Sequence, residues 1–356
     1  MNLAGIVDAL VEAPVVPSFT RIGYDVRSRL AHWTALDEYA LDGRVMVLTG
    51  ATSGLGLAAA EQLARCGATV VLMGRDAAKC DRVLAQLQSR TGNSNLVSVV
   101  ADLAEPEQVR AAAALVAARF ERVDALVHNA GALAARRTTN SLGMESTVAA
   151  QVVGPFLLTA LLLDRLGAAR PGRVITMSSG GMYTASLEIE RLQMGADYRG
   201  AEQYARAKRA QVALNGEWAR RAALAQPAVP PPQPVSPPQP PVSPPQPPVS
   251  PPPPVHVVFH AVHPGWADTP GVEASLPRFR TVTGPLLRSP AQGADTMVWL
   301  AADDGEPLRQ SGRFWLDRRV RPEHRLPTTR RSDTAERRAR LWQWCVEAAG
   351  IDPFAR

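Results

Sequence analysis

A chain of 356 residues, 46% hydrophobic and 20% charged, is long enough for one large domain and too apolar to be disordered throughout. The net charge of +6 equals that of the stretch from Arg318 to Arg340, where nine arginines face three acids. The rest is balanced, which argues against a broad nucleic-acid-binding face. Three scattered cysteines (Cys66, Cys80, Cys345) suit neither a disulfide framework nor a zinc site, so no metal is expected, and no run reaches the roughly 18 apolar residues of a membrane span.

Residues 1–43 read as a leader with helical segments. Asp8 and Glu12, with no early basic residue, speak against a secretory signal and for a cytoplasmic protein. From 44 to 318, short runs rich in Val, Leu and Ile alternate with helical patterns. Strands are expected at 44–49, 69–74, 96–101, 123–128, 173–177, 255–262 and 312–316. This alternation predicts an α/β fold, a doubly wound parallel sheet of Rossmann type with about seven strands and helices on both faces, in one domain.

That domain is interrupted at 227–254, which holds 17 of the 31 prolines and no charge. Proline lacks an N–H and fixes φ, so the run reads as a polyproline or disordered loop insertion. Docking of a proline-recognising partner is the sharper alternative. Ser289-Pro290-Ala291-Gln292 is a capping box that opens a helix. The tail, 319–356, reads as basic and solvated by default, ending in a helix toward Gly350. Asp333 and Glu336 can cap that helix, and Leu341, Trp344, Cys345 and Ala348 fall on one face to pack on the body or a partner chain.

The first strand ends in Thr49-Gly50-Ala51-Thr52-Ser53-Gly54-Leu55-Gly56, followed by a helical run at 57–65. Glycines at a strand-to-helix turn let backbone approach a pyrophosphate, and the helix start offers N–H groups and a positive dipole end. Gly50, Thr52, Ser53, Gly54, Leu55 and Gly56 are therefore expected to cradle a dinucleotide. Arg75 ends the second strand, where a cofactor without a 2′-phosphate usually meets an acid. A guanidinium suits that phosphate, which predicts NADP(H) over NAD(H), although the adjacent Asp76 counts the other way. Asp102-Leu103 follow the third strand, in reach of the adenine, and the small residues of Asn129-Ala130-Gly131 let the fourth strand's end pass beneath the cofactor. Each of these last two segments also reads as ordinary turn chemistry.

Ser178-Ser179 end the fifth strand, at the carboxyl edge where ligands bind. Tyr204 and Lys208 are four apart on one expected helix, so they share a face. Only two of the 39 basic residues are lysines, Lys79 and Lys208. A carbonyl that receives hydride needs a proton at oxygen. A tyrosine can supply it, a nearby ammonium lowers the tyrosine pKa, and a serine hydroxyl polarises the carbonyl. Tyr204, Lys208 and one serine of the Ser178-Ser179 pair are the candidate catalytic set.

Together these residues resemble the short-chain dehydrogenase/reductase superfamily over about 44–316, the proline run excepted. The resemblance implies that Gly50–Gly56 is the cofactor turn and that Ser179, Tyr204 and Lys208 are the catalytic serine, tyrosine and lysine. It also implies that Pro264-Gly265 and Thr269 bear on the nicotinamide, and that Tyr204 and Lys208 touch the cofactor as well. A closer likeness, to one little-characterised branch, is carried by 173–182 (RVITMSSGGM), 263–272 (HPGWADTPGV), 291–300 and 311–314. One departure stands out: Gln151 occupies the place of the family's fourth catalytic member, an asparagine that helps hold a water near the lysine. The implied activity is NADP(H)-dependent hydride transfer to or from a small-molecule carbonyl or alcohol, commonly by a homo-oligomer. The rival is a catalytically impaired cofactor-binding scaffold that engages partners through the proline run or the tail. A sugar-nucleotide epimerase fits the glycine spacing poorly.

Overall fold

Along the first strand, Val45 and Val47 point to one face of the sheet and Met46 and Leu48 to the other, and all four are buried. Both faces of the strand are therefore covered, as its continuous apolar run requires. The computed structural model describes residues 15–169, 171–225, 256–275 and 277–355. The proline-rich run, with any partner it would dock, lies outside these.

The strands are β1 (Val45–Thr49), β2 (Thr69–Gly74), β3 (Leu96–Val100), β4 (Ala125–His128), β5 (Gly172–Met177), β6 (Val257–Val262), β7 (Arg313–Leu316) and β8 (Arg319–Val320). They form one sheet in the order β3-β2-β1-β4-β5-β6-β7-β8, parallel except for the β7–β8 pair. Seven strands fall within two residues of their expected bounds. One face packs on helices Pro106–Arg119, Gly154–Leu161, Gly200–Ala225 and Ala335–Ala349, the other on Gly54–Arg65, Ala77–Thr91 and Pro290–Ala302. The order reverses between β1 and β4, which opens a crevice at the carboxyl ends of these strands.

The eighth strand was not expected. It joins β7 through Asp317-Arg318, both left-handed (φ 55° and 52°), the conformation of a two-residue hairpin turn that glycine or asparagine usually supplies. Forcing two such residues costs on the order of 1–3 kcal/mol each. Side-chain pairing offsets that cost. The Asp317 carboxylate is buried between Arg27 and Arg288, and Arg318 grips both carboxylate oxygens of Asp295 at 2.8 Å.

Two further expectations change. Helix Pro290–Ala302 has its capping box, but the C-terminal helix is capped by Thr334, whose hydroxyl accepts from Arg337 N at 3.3 Å. Asp333 is instead buried against Arg209 and Arg338, while Glu336 does sit in the helix's first turn. Asp333 is more strongly held by two guanidiniums than by backbone N–H groups. The tail is also not solvated throughout. Trp342 packs on Trp218 and Phe156 with ring centroids 4.7 and 4.9 Å apart, and Leu341 and Cys345 are buried beside it. Trp344 and Ala348 only flank this core. Among the described residues no single helix is long and apolar enough to cross a membrane; one bent pair, Ser146–Leu161 with Leu163–Ala169, passes by composition, and its apolar residues belong mostly to the core.

Candidate active site

At the end of β1 the chain turns on Gly50 (φ +67°) and Gly54 (φ +54°) into helix Gly54–Arg65. A Cβ on Gly56 would run into the Gly50 carbonyl and the Asn129 amide, so only glycine lets the helix start this close to the turn. Ser53 precedes the helix in extended backbone and makes no side-chain capping bond, which leaves the first-turn N–H groups open. This bare cradle of backbone donors fits a nucleotide pyrophosphate.

Asn129 braces that turn. Its Nδ2 donates to the carbonyls of Thr49 and Gly50 at 3.1 and 3.2 Å. Thr49, which the sequence did not single out, accepts at its hydroxyl from the N–H groups of Asn129 and Ala130 and donates to Val127 O. The ends of β1 and β4 are thus riveted together at the crevice. Asn129 acts on the turn itself, and Ala130 lies so close to Gly50 that a Cβ there would stand 2.8 Å from the Ala130 Cα.

Arg75 follows β2 and is exposed, with no ion-pair partner among the described residues. Asp76 caps helix Ala77–Thr91 by accepting from Lys79 N at 2.9 Å. Asp102 accepts from Ala104 N and takes part in its own turn, while the Leu103 side chain is buried and its carbonyl lies against Gly154. Thr269 lies 3.4 Å from where a Gly54 Cβ would stand, so the segment after β6 closes over the glycine turn. Pro264 and Gly265 begin that segment, Gly265 at φ +74°.

Ser178 and Ser179 separate in role. Ser178 is buried, and its hydroxyl donates to Lys208 O at 3.2 Å, fixing the long helix Gly200–Ala225 to the end of β5. Ser179 is half-buried, its hydroxyl accepts from Gly181 N at 3.3 Å, and it lies near enough to the Tyr204 phenol to lower its pKa. Burial pushes the Tyr204 pKa up, and Ser179 opposes this more weakly. The expected lowering by Lys208 is not among the causes of the shift. The Lys208 ammonium sits 5.3 Å from the centroid of the Tyr204 ring and donates to Met177 O at 2.7 Å. Lys208 is buried, and burial brings its pKa down to about 7.

Gln151 lies in a π-helical turn, Ala149–Val153, ahead of helix Gly154–Leu161. Such turns release backbone carbonyls from the helix ladder and are frequent at functional sites. Here the Gln151 carbonyl accepts from Gln211 Nε2 at 2.6 Å, and its side-chain Nε2 donates to Ala132 O at 2.8 Å. Its Oε1 is buried with no hydrogen-bond partner among the described residues. A Cβ on Gly131 would stand 3.0 Å from this oxygen and 3.4 Å from Lys208 Nζ, so amide, lysine and glycine border one point. Gln211, on the Tyr204 helix, had no sequence signal.

The set Ser179, Tyr204, Lys208, Gln151 and Gly131 therefore converges at the carboxyl edge of the sheet. The sequence model of the family described as short chain dehydrogenase matches residues 44–187. Dehydrogenase/reductase SDR family member 12 of Homo sapiens is 34% identical over 323 residues, covering 89% of this chain and 90% of the relative. The chain belongs to the short-chain dehydrogenase/reductase family. It is an NAD(P)-dependent oxidoreductase of that family, and the branch suggested by its four segments is that of the human relative. Retinol dehydrogenase 12 of Bos taurus is 29% identical, covering 93% of this chain and 94% of its own. L-sorbose reductase from Gluconobacter frateurii, a structure complexed with NADPH and L-sorbose, shares the family fold with a TM-score of 0.56 at 20% identity, covering 78% of this chain and 95% of that one.

A cleft of about 350 Å³ lies between Asp268, Glu273, Pro277, Arg280, Thr281 and Gly284. None of the converging side chains lines it, and its acids are paired with Arg280, so the reaction is not placed there.

The Gln151 amide nitrogen donates to Ala132 O while its oxygen borders Gly131, which Lys208 Nζ also borders. Gln151→Asn retracts the amide by one methylene and leaves Ala132 O unbonded, so turnover should fall several-fold, measured as NADPH oxidation with a carbonyl substrate. A rise would mean that glutamine holds the site too far from Lys208.

Proposed function

We propose that the protein is an NADP(H)-dependent reductase or dehydrogenase of a small-molecule carbonyl or alcohol, with Tyr204 exchanging the proton at the substrate oxygen. The observation that carries this is the convergence of Tyr204, Ser179 and Lys208 on one point at the end of β5, facing the crevice above the glycine turn. When bound, the nicotinamide supplies or accepts hydride. The protein's own groups do the rest. Tyr204, held protonated by burial, donates to a carbonyl oxygen, and Ser179 orients that oxygen through its hydroxyl. Lys208, with a pKa near 7, restores the phenol's proton, and Gln151 Oε1 is an acceptor for the water that joins this relay. A scaffold without turnover would not need these groups assembled. The retinol dehydrogenase relative supports an apolar carbonyl or alcohol as the substrate, entering between the segment 180–203 and the residues after Pro270.

The NADP(H) preference rests on Arg75, which is exposed and has no ion-pair partner among the described residues, while the neighbouring Asp76 is committed to its helix cap. The structurally similar L-sorbose reductase complexed with NADPH supports a nucleotide of this kind in the fold. A charge-assisted bond to phosphate is worth roughly 1.5–3 kcal/mol. Arg75→Ala should therefore weaken NADPH binding about tenfold or more and leave NADH binding unchanged, read by fluorescence titration. NADH bound by the wild type as tightly as NADPH would end the preference.

A further inference from the structure

Arg288 sits just before the capping box of helix Pro290–Ala302 and is 1% exposed. A guanidinium has five N–H donors, and all five are used. Nε donates to Thr20 O at 3.2 Å. Nη1 donates to Pro264 O at 3.3 Å and Asp317 Oδ1 at 2.5 Å, and Nη2 to Ser18 O at 3.1 Å and Asp317 Oδ2 at 2.9 Å. Its own backbone is woven into the same loop: Arg288 N donates to Trp266 O, and Asp268 N donates to Arg288 O. A Cβ on Gly265 would run into the Arg288 side chain, so the loop lies directly on the guanidinium.

The other side of Arg288 is the N-terminal segment. Phe19 O accepts from Trp266 N at 2.6 Å, and the Phe19 ring meets His263 and Trp266 edge-on, with centroids 4.4 and 6.0 Å away. Phe19 thus grips both flanks of Pro264-Gly265. Arg27 donates to Ser18 O at 2.9 Å and to Asp317 Oδ2 at 2.6 Å, which ties helix Arg21–Leu30 to the same carboxylate. Burial alone would raise the Asp317 carboxyl pKa; the two guanidiniums hold it below its usual range.

We propose that Arg288, Asp317 and Arg27 form a buried clamp through which Ser18–Thr20 hold the Pro264–Thr269 loop in place, which makes residues preceding the sheet a positioning element of the cofactor site. The matched family region begins only at residue 44, after these positions. The proposal rests on the reading above that this loop bears on the nicotinamide. Arg288 touches no reacting atom in this account; it acts through Pro264, Gly265 and Thr269. A lysine could keep the charge but not the fork, since it is a point donor.

Arg288→Lys is tested with two probes. NADPH spans the site, whereas 2′,5′-ADP reaches only the glycine-turn half. The expected result is an NADPH affinity about tenfold weaker and a KM for NADPH that rises more than kcat falls, with 2′,5′-ADP, which meets the loop only at Thr269, weakened clearly less. Arg27→Met reads the same clamp from the N-terminal side, with a smaller shift in the same direction, and stands in if Arg288→Lys does not fold. NADPH affinity unchanged in a folded variant, or both probes weakened alike, overturns the clamp alone. A wild type that binds neither NADPH nor NADH overturns the cofactor reading and the clamp's role with it.

Discussion

Tyr204→Phe is expected to lower turnover at least about 1,000-fold while NADPH affinity changes little. The phenol lies beside the Ser179 hydroxyl, and the Lys208 ammonium stands 5.3 Å from the centroid of its ring. Phenylalanine keeps that ring and its packing and removes only the group that carries the proton. General acid–base groups supply typically ~10²–10⁴ in rate, and Tyr204 is the proton-carrying phenol of this site. Stability should change by about 1 kcal/mol or less, because at most one polar interaction of the phenol is lost and Ser179 keeps its contact with Gly181 N. Turnover is read with NADPH and a panel of aldehydes and ketones, and binding by fluorescence. A Phe variant that still turns over would remove Tyr204 from the chemistry.

The parts of this site that were legible in the sequence are those written in local pattern. Seven strands announced themselves by short apolar runs, the glycine turn by its spacing, and Tyr204 and Lys208 by a four-residue interval on a helix in a chain nearly without lysine. What was not legible depends on residues far apart in the chain. The Asp317-Arg318 turn contains no glycine or asparagine, so β8 had no turn signal; its left-handed residues are held by Arg27, Arg288 and Asp295. Thr49 and Asn129, 80 residues apart, rivet two strands whose adjacency follows only from the crossover order. The Ser178-Ser179 pair by itself does not tell which serine faces the tyrosine, and only the family resemblance singled out Ser179, because the choice lies in which side of the strand end the long helix passes. The π turn at Gln151 and its bond from Gln211 belong to the same class: neither residue type announces a helix irregularity, and only the packing of the two helices creates it.

Lys208→Met should remove turnover and, in the cofactor-free protein, raise stability at neutral and mildly acidic pH. The wild-type ammonium is 2% exposed, and burial lowers its pKa from 10.5 to about 7. The folded protein therefore binds this proton less readily than the unfolded chain does. Between pH about 7 and 10.5 the unfolded state carries more protons, so wild-type stability rises with pH across that window; below pH 7 the full cost of a buried charge is present, on the order of a few kcal/mol. Methionine has a stem of similar length and no charge, so that rise should vanish in the variant. It forfeits the bond to Met177 O, which returns about 1 kcal/mol of the gain. Denaturation curves from pH 6 to 10 on both proteins measure this directly, and parallel curves would show that the Lys208 amine titrates as an ordinary surface lysine. The loss of activity together with a gain in stability would mean that the fold tolerates an unfavourable buried amine because the proton relay requires one at that point. Arginine, which this chain uses at nearly every other basic position, stays charged at any accessible pH and could not release a proton to Tyr204.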